Sequence, residues 1–335
     1  MQTGDVSALL LTVGEPYAER ALASIQRQTM PPAAVVAVRN VVPFHRALNQ
    51  GAAQIGTPFF VQVDADMILD AGCFADLRAG VGERVGTVIG HLRDPLLGRV
   101  AGIKLFRTAC FAEARFADSI SPDTEFENAI ARSDWRTIYA IKPPHGPALP
   151  AHVFGDHCPA YTPLYTFRKF QLLGARHRYR RAGASLRGMC RALRASGHEA
   201  AMFALVGTAH GIFQATDRDR LEPFADGTDF QRLASLLART PQRAVIVDEL
   251  GDAGELDAST AWRRGYRYGL LLARDGDRQS LAAICERLID HGGTLEWVAF
   301  VGVCQGLFAD AYDEAQIERD FTLLNPITPK AYRRR

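Results

Sequence analysis

Between residues 7 and 63 the chain alternates short apolar blocks with stretches whose apolar residues recur at helical spacing. Residues 7–13 (SALLLTV) form an apolar run ended by Gly14 and Pro16, the pattern of a buried strand. Residues 17–28 place Leu22 and Ile25 on one helical face, and Met30-Pro31-Pro32 stops the helix. A second strand is expected over 34–38, a second helix over 45–55, and a third strand over 58–63 (PFFVQV), which runs into Asp64-Ala65-Asp66. Strand, helix, strand, helix and strand with short connections predict a parallel sheet covered on both faces. In such sheets ligands bind beyond the carboxyl ends of the strands, which is where Asp64 and Asp66 fall.

Further strands are expected over 85–90, 101–106 and 137–141, and a helix over 123–132 with Ser121 at its N-cap and Pro122 at its first position. Residues 142–163 read as a proline-rich loop carrying His145, His152 and His157. Beyond it the pattern turns helical, with helices expected over 167–195, 199–214, 230–239, 259–274, 280–291 and 295–312. The stripe around Trp262, Tyr266 and Leu270 reads as core. No internal repeat and no low-complexity tract is evident. The division expected is a domain over 1–165 and a mainly helical region over 166–335.

Composition narrows the classes. With 47% hydrophobic and 23% charged residues the chain is an ordinary globular protein, and a net charge of +2 gives no footprint for nucleic acid. The six cysteines form no C-x-x-C pair, which suits reduced thiols in a cytoplasmic protein. The N-terminus lacks the basic start and apolar stretch of a signal peptide. The apolar runs 200–213 and 295–308 fall short of the roughly 18 to 20 residues of a spanning helix. The basic residues between Arg168 and Arg194 suit either a solvated helical face or contact with diphosphates or an anionic membrane surface, here the inner face.

The strongest chemical feature is FFVQVDADM at 59–67. Side chains two apart on an extended backbone point to the same side, so both carboxylates can meet one cation. Their hard oxygens suit Mn²⁺ or Mg²⁺, which share their coordination with diphosphate oxygens. For a nucleotide, the ends of the first two strands supply Thr12, Val13 and Glu15, and Asn40, whose amide both donates and accepts.

Several segments, in order, resemble family 2 glycosyltransferases of the GT-A fold. Residues 23–29 (ASIQRQT) are similar to that family's S-I-x-x-Q-T stretch, residues 47–51 (ALNQG) to its A-x-N-x-G turn, and 63–66 (VDAD) to its metal-binding D-x-D. Residues 102–107 followed by Pro122-Asp123-Thr124-Glu125-Phe126 resemble its later strand and acceptor-side E-D-x-x-[LF] motif, and Asp134-Trp135-Arg136 falls where G-[WY]-x is common. The resemblance covers residues 5 to 160 and implies a Rossmann-type, mixed and mostly parallel α/β sheet with a helical C-terminal extension. It implies an inverting transfer from a nucleoside diphosphate sugar to a glycan, lipid-linked or protein acceptor. Asp123 would be the general base, and the helix N-terminus favours negative charge there. Pro122 stands where the family has glutamate, which leaves Glu125 or Glu127 as alternative bases. The metal would be held by Asp64, Asp66 and His157, with His152 and His145 as competitors for the third place. Asn49 and Ala65 join Thr12, Val13, Glu15, Asn40 and Asp64 in the donor site.

Rival readings are a haloacid-dehalogenase-like phosphatase using Asp64 and Asp66, with Asp248-Glu249 as its later acidic pair, and a non-catalytic binding protein of the same fold. A nucleotidylyltransferase would need a glycine-rich loop that Gly14-Glu15-Pro16 does not supply. Residues 200–335 are equally compatible with an acceptor platform and a homo-oligomer interface.

Overall fold

A computed structural model of the 335-residue chain describes residues 4–119, 121–140, 152–179, 183–213, 227–240 and 257–324. The chain divides into two compact units, Met1–Pro159 and Ala160–Arg335. His145, Arg180, Arg181, Asp248, Glu249 and the terminal 333–335 lie outside the described residues. No described helix is long and apolar enough to cross a membrane, and all six cysteines are free.

The first unit is built on a mixed, mostly parallel sheet of eight strands flanked by helices, as the apolar blocks predict. In chain order its elements are β1 (Val6–Thr12), α1 (Ala18–Gln26), β2 (Val35–Arg39), α2 (Phe44–Ala52), β3 (Phe59–Asp64), β4 (Met67–Leu69) and α3 (Cys73–Ala79). There follow β5 (Val85–Asp94), β6 (Gly98–Arg107), α4 (Cys110–Glu113), α5 (Pro122–Ala131), β7 (Arg136–Tyr139) and β8 (Gly155–His157). The strand order is β2-β1-β3-β6-β5-β8-β4, with β7 beside β5. β1 runs parallel to both β2 and β3, whereas β6 is antiparallel to β3 and to β5.

Every residue of β1 is buried, so each face of the strand needs its own cover. Ala8 and Leu10 pack with Ile25 of α1 and Phe74 of α3, while Leu9 and Leu11 pack with Leu48 of α2 on the opposite face. A methyl group at Gly51 of α2 would lie 2.3 Å from a Leu9 methyl carbon, so only glycine lets that helix approach. On the same face Phe60, Phe106, Phe111, Phe116 and Phe126 form one aromatic cluster; Phe116 and Phe126 stack with centroids 4.5 Å apart. Phe126 belongs to α5, so this cluster anchors the helix whose first turn carries Asp123 and Glu125.

Several local expectations need correction. The strands expected over 85–90 and 101–106 extend into one hairpin, β5–β6, because Asp94 closes its turn by accepting the Leu96 and Leu97 amides at 2.9 and 2.7 Å. Ser121 occupies the N-cap of α5 but makes no side-chain capping bond there. His157 lies on a strand, β8, rather than in an irregular loop.

The second unit is helical: α6 (Pro163–Tyr179), α7 (Gly183–Ala195), α8 (Ala201–Gly211), α9 (Thr228–Ala238), α10 (Ala258–Asp275), α11 (Arg278–Cys285) with a π-helical turn (Glu286–Asp290), α12 (Thr294–Phe308) and α13 (Glu314–Leu324). The single helix expected over 167–195 is two, α6 and α7. Part of the basic run serves packing. Arg187 and Arg191 donate to the Gly292 carbonyl at 3.3 and 3.0 Å, and Arg194 pairs with Asp290 at 3.1 Å. Arg187 and Arg191 thereby satisfy a carbonyl just beyond the π-turn, where the helical ladder leaves acceptors open.

Candidate active site

β1 and β3 end side by side, with Leu11 opposite Asp64. The chain then turns sharply. Ala65 donates its amide to the Leu11 carbonyl at 3.0 Å, and Asp66 leads directly into β4. The antiparallel pairing of β4 with β8 sets Met67 opposite His157, and Cys158 donates its amide to the Asp66 carbonyl at 2.6 Å. A histidine more than ninety positions downstream is thereby held beside the second aspartate. Gly155 makes this pairing feasible: its φ is +152°, and a methyl group there would lie 2.3 Å from the Ile68 carbonyl oxygen.

His157 is nearly buried and stands between two carboxylates. Its Nδ1 is 2.6 Å from Asp94 Oδ2 and its Nε2 is 3.3 Å from Asp66 Oδ2. Asp94 has no exposed side-chain surface. Because its other oxygen closes the β5–β6 turn, its orientation is fixed from both sides. A proton on Nδ1 shared with Asp94 leaves the Nε2 lone pair facing Asp66, the arrangement by which a second carboxylate orients a metal-ligating imidazole. Arg93 braces the same strand through Asp156 at 2.5 Å and Asp70 at 3.2 Å.

Asp64 receives a hydrogen bond from the Gln62 amide at 3.0 Å. Burial above all, and then the charges of Asp66 and Asp123, push its carboxyl up to about 7, against the opposing pull of Gln62 and His157. Asp64, Asp66, Asp123 and His157 therefore lie within electrostatic reach of one another. Asp123, in the first turn of α5, pairs with Lys104 Nζ at 2.7 Å. Lys104 is almost fully buried on β6, opposite Gln62 of β3, and also reaches Glu127 at 3.3 Å. Glu125 shares the first turn with Asp123 but not the Lys104 contact.

Two carboxylates whose mutual repulsion favours protonation are a donor set that a divalent cation would satisfy, and their hard oxygens suit Mn²⁺ or Mg²⁺. Among the described residues no group of three or more His, Cys, Asp or Glu is gathered tightly enough to complete a metal site alone. Asp64, Asp66 and His157 are the residues that would hold such an ion. His152 instead pairs with Asp76 at 3.3 Å.

The remaining expected residues divide into two groups. A cavity of about 260 Å³ is lined by Thr12, Val13, Glu15 and both aspartates, together with Val42 and Phe44. Another of about 330 Å³ includes Gly14, Arg39 and Asn40, and a third of about 430 Å³ includes Tyr17, Asp94 and His157. Glu15 is committed to its own loop, accepting from the Thr12 hydroxyl at 2.7 Å and the Val13 amide at 2.9 Å. Asn40 has φ +55° and donates its amide to the Thr12 carbonyl. Asn49 lines none of these cavities; its side-chain amide bonds both the carbonyl and the amide of Phe116, at 2.9 and 3.0 Å. The Ala65 side chain is buried. Asp94, Lys104, Val42 and Phe44 were not foreseen. Only an apolar pair beside a strand end could have pointed to the last two, and nothing local distinguishes Asp94 or Lys104.

A larger cavity, about 720 Å³, lies in the second unit between α9, α10 and α12 and is lined by Arg232, Arg239 and Arg274. Its lining holds neither paired carboxylates nor a histidine.

No protein-family model matches the chain, and the comparison with curated proteins gives no match. Among solved structures the chain is similar to the mannosyltransferase PcManGT from Pyrobaculum calidifontis in complex with GDP-Man and Mn²⁺, at 14% identity and a TM-score of 0.42, over 92% of this chain and 88% of that one. It is also similar to S. aureus TarS 1–349, at 13% identity and a TM-score of 0.32, over 84% of this chain and 91% of that one. Likeness of this degree assigns no residue a role.

Proposed function

We propose that the chain is a metal-dependent, inverting glycosyltransferase of the GT-A type that takes its sugar from a nucleoside diphosphate sugar. The observation that carries the reading is the convergence of Asp64, Asp66, Asp123 and His157 beyond the carboxyl ends of β1 and β3, beside a cavity walled by Val42 and Phe44. Ligands of open α/β sheets bind at that edge, and an apolar wall next to carboxylates suits a nucleobase joined to a metal-bound diphosphate.

In this reading Asp64, Asp66 and His157 hold Mn²⁺ or Mg²⁺, and Asp94 orients the imidazole. When bound, the ion supplies neutralising charge for the departing nucleoside diphosphate. Thr12, Val13, Phe44 and Asn40 receive the nucleoside. Asp123 accepts the proton of the acceptor hydroxyl as its oxygen attacks the anomeric carbon, which inverts that centre. Lys104 holds Asp123 Oδ2 and so sets the direction of the other oxygen. Glu125, two residues on and about 200° further round the helix, is the alternative base. The acceptor is a glycan, a lipid-linked saccharide or a protein.

The test is a thermal-shift screen of UDP, GDP, CDP and TDP at millimolar concentration, with and without Mn²⁺, on the parent chain and Asp66→Ala. One nucleotide should stabilise the parent only with metal, by about 2.7 kcal/mol at a hundredfold excess over its Kd, and not the variant. Absence of any nucleotide effect would sink the transferase reading. Once a donor is found, the anomeric configuration of the product decides inversion.

A further inference from the structure

The structure assigns the second unit an internal partner: three of its helices occur twice, as α6–α8 and α10–α12, and the two copies pair through a self-complementary face as a dimer within one chain. The hydrophobic pattern alone does not disclose this, and the contacts do. In the first copy α6 and α8 touch backbone to backbone. Added methyl groups at Gly174, Gly207 and Gly211 would lie 2.1, 2.5 and 1.9 Å from the carbonyl oxygens of Thr208, Phe167 and Gln171. In the second copy methyl groups added at Gly269, Gly302 and Gly306 would lie 2.2, 2.2 and 2.0 Å from those of Val303, Trp262 and Tyr266. Each of these residues lies the same number of positions downstream of its counterpart, with no insertion or deletion.

The sequences agree once that register is known. Residues 204–213 read ALVGTAHGIF and residues 299–308 read AFVGVCQGLF. Leu186, Cys190 and Leu193 of α7 correspond, at the same displacement, to Leu281, Cys285 and Leu288, and all are buried. Each copy is followed by a helix that adds a similar Asp-Phe contact, at a displacement of 91 rather than 95 positions, near the start of α9 and in the second half of α13. Asp229 meets His210 Nε2 at 2.6 Å, and Phe230 meets Phe167 with centroids 6.1 Å apart. Asp320 accepts from Gln305 Nε2 at 2.6 Å, and Phe321 meets Trp262 at 5.8 Å. His210 and Gln305 are themselves counterparts.

The two copies contact each other reciprocally. Phe167 of the first touches Phe308 of the second at 6.1 Å, and their counterparts Trp262 and Phe213 touch at 6.2 Å. Exchange of equivalent contacts is the signature of an isologous, two-fold interface. Cys190 and Cys285 lie near its axis: both are fully buried, and Cys285 adds to the upward push that burial gives the Cys190 thiol. The physical need is plain, since α8 and α12 are apolar on nearly every side and a single module could not cover them. The face that would otherwise seek a second chain is consumed in cis.

The test uses the full chain and reads folding, so its outcome is independent of the transferase reading. Residues 299–308 are replaced by ALVGTAHGIF, and in a second variant residues 204–213 by AFVGVCQGLF. Each exchange should keep the parent's helical circular dichroism and mass in solution and melt within about 10 °C of it, as repacking of a volume-matched core does. In parallel, Phe213→Leu and Phe308→Leu should lower the melting temperature equally, each by about 3 to 6 °C. Folded exchange chains support the duplication. If they do not fold, the phenylalanine pair decides: equal losses sustain the proposal, and losses differing more than twofold overturn it.

Discussion

The two units each contain a nearly buried histidine 2.6 Å from an aspartate, and only the histidine of the first unit also faces a second carboxylate. In the first unit Asp94 is fully buried and tied to a hairpin turn, and the second nitrogen of His157 faces Asp66. In the second unit Asp229 is about a third exposed, and among the described residues His210 Nδ1 is buried with no hydrogen-bond partner. The counterpart of His210 is Gln305, an amide that makes the same bond to Asp320 at the same length. A buried His–Asp pair thus pins helices as readily as it prepares chemistry. What separates the two cases is the group that the other ring nitrogen meets.

The largest effect that would test this contrast is at Asp66. Asp66→Ala should lower transfer by about 10³-fold or more, on the scale of losing a principal electrostatic contact to the transition state. The assay is turnover of the donor identified by the nucleotide screen. Next comes Asp94→Asn, which should weaken Mn²⁺ binding about 10- to 100-fold by isothermal titration, whereas Asp229→Asn should leave it unchanged and lower only the melting temperature. Equal losses of Mn²⁺ affinity in both variants would erase the distinction drawn here.

The pH dependence sharpens the comparison further. Burial and neighbouring carboxylates raise the folded-state pKa of Asp64 to about 7, against 3.8 for an unperturbed aspartate. The folded protein therefore keeps a proton that the unfolded chain releases first, and stability falls as pH rises from about 4 to about 7. Urea midpoints measured in EDTA at pH 5 and pH 8 should show the loss, and Asp64→Asn should flatten it. Mn²⁺ affinity should rise over the same interval, since the ion competes with that proton. The smallest effect belongs to His210→Gln, which copies the other module. Its melting temperature should stay within about 2 °C of the parent and its Mn²⁺ affinity should not move; a large shift in either would show that His210 does more than pin α8 to α9.

Much of the first unit was legible beforehand. β1, α1, β2 and β3 lie within about one or two residues of the spans expected from apolar runs and helical spacing, as terminal fraying allows, and α2 ends three residues before its expected end. Asp64 and Asp66 were legible because a strand's alternation and its end are local properties. Short elements were not: β4 and β8 have three residues each and carry no period to detect. Nor could local pattern show that the Asn49 side-chain amide, placed in the donor site by resemblance, bonds the Phe116 backbone.

Local order along the chain therefore determined the class of fold and the pair of carboxylates at the carboxyl edge of the sheet, since burial of both faces of β1 forces a covered parallel sheet. Tertiary structure alone decided which histidine joins Asp66, because the β4–β8 register selects His157 and sends His152 to Asp76. It also decided that Lys104 meets Asp123 and that Asp94 stands behind the imidazole. The duplication in the second unit was present in the sequence throughout. Apolar periodicity hides it, because a buried helix accepts many apolar residues, and only backbone contacts that tolerate glycine alone mark the positions to align.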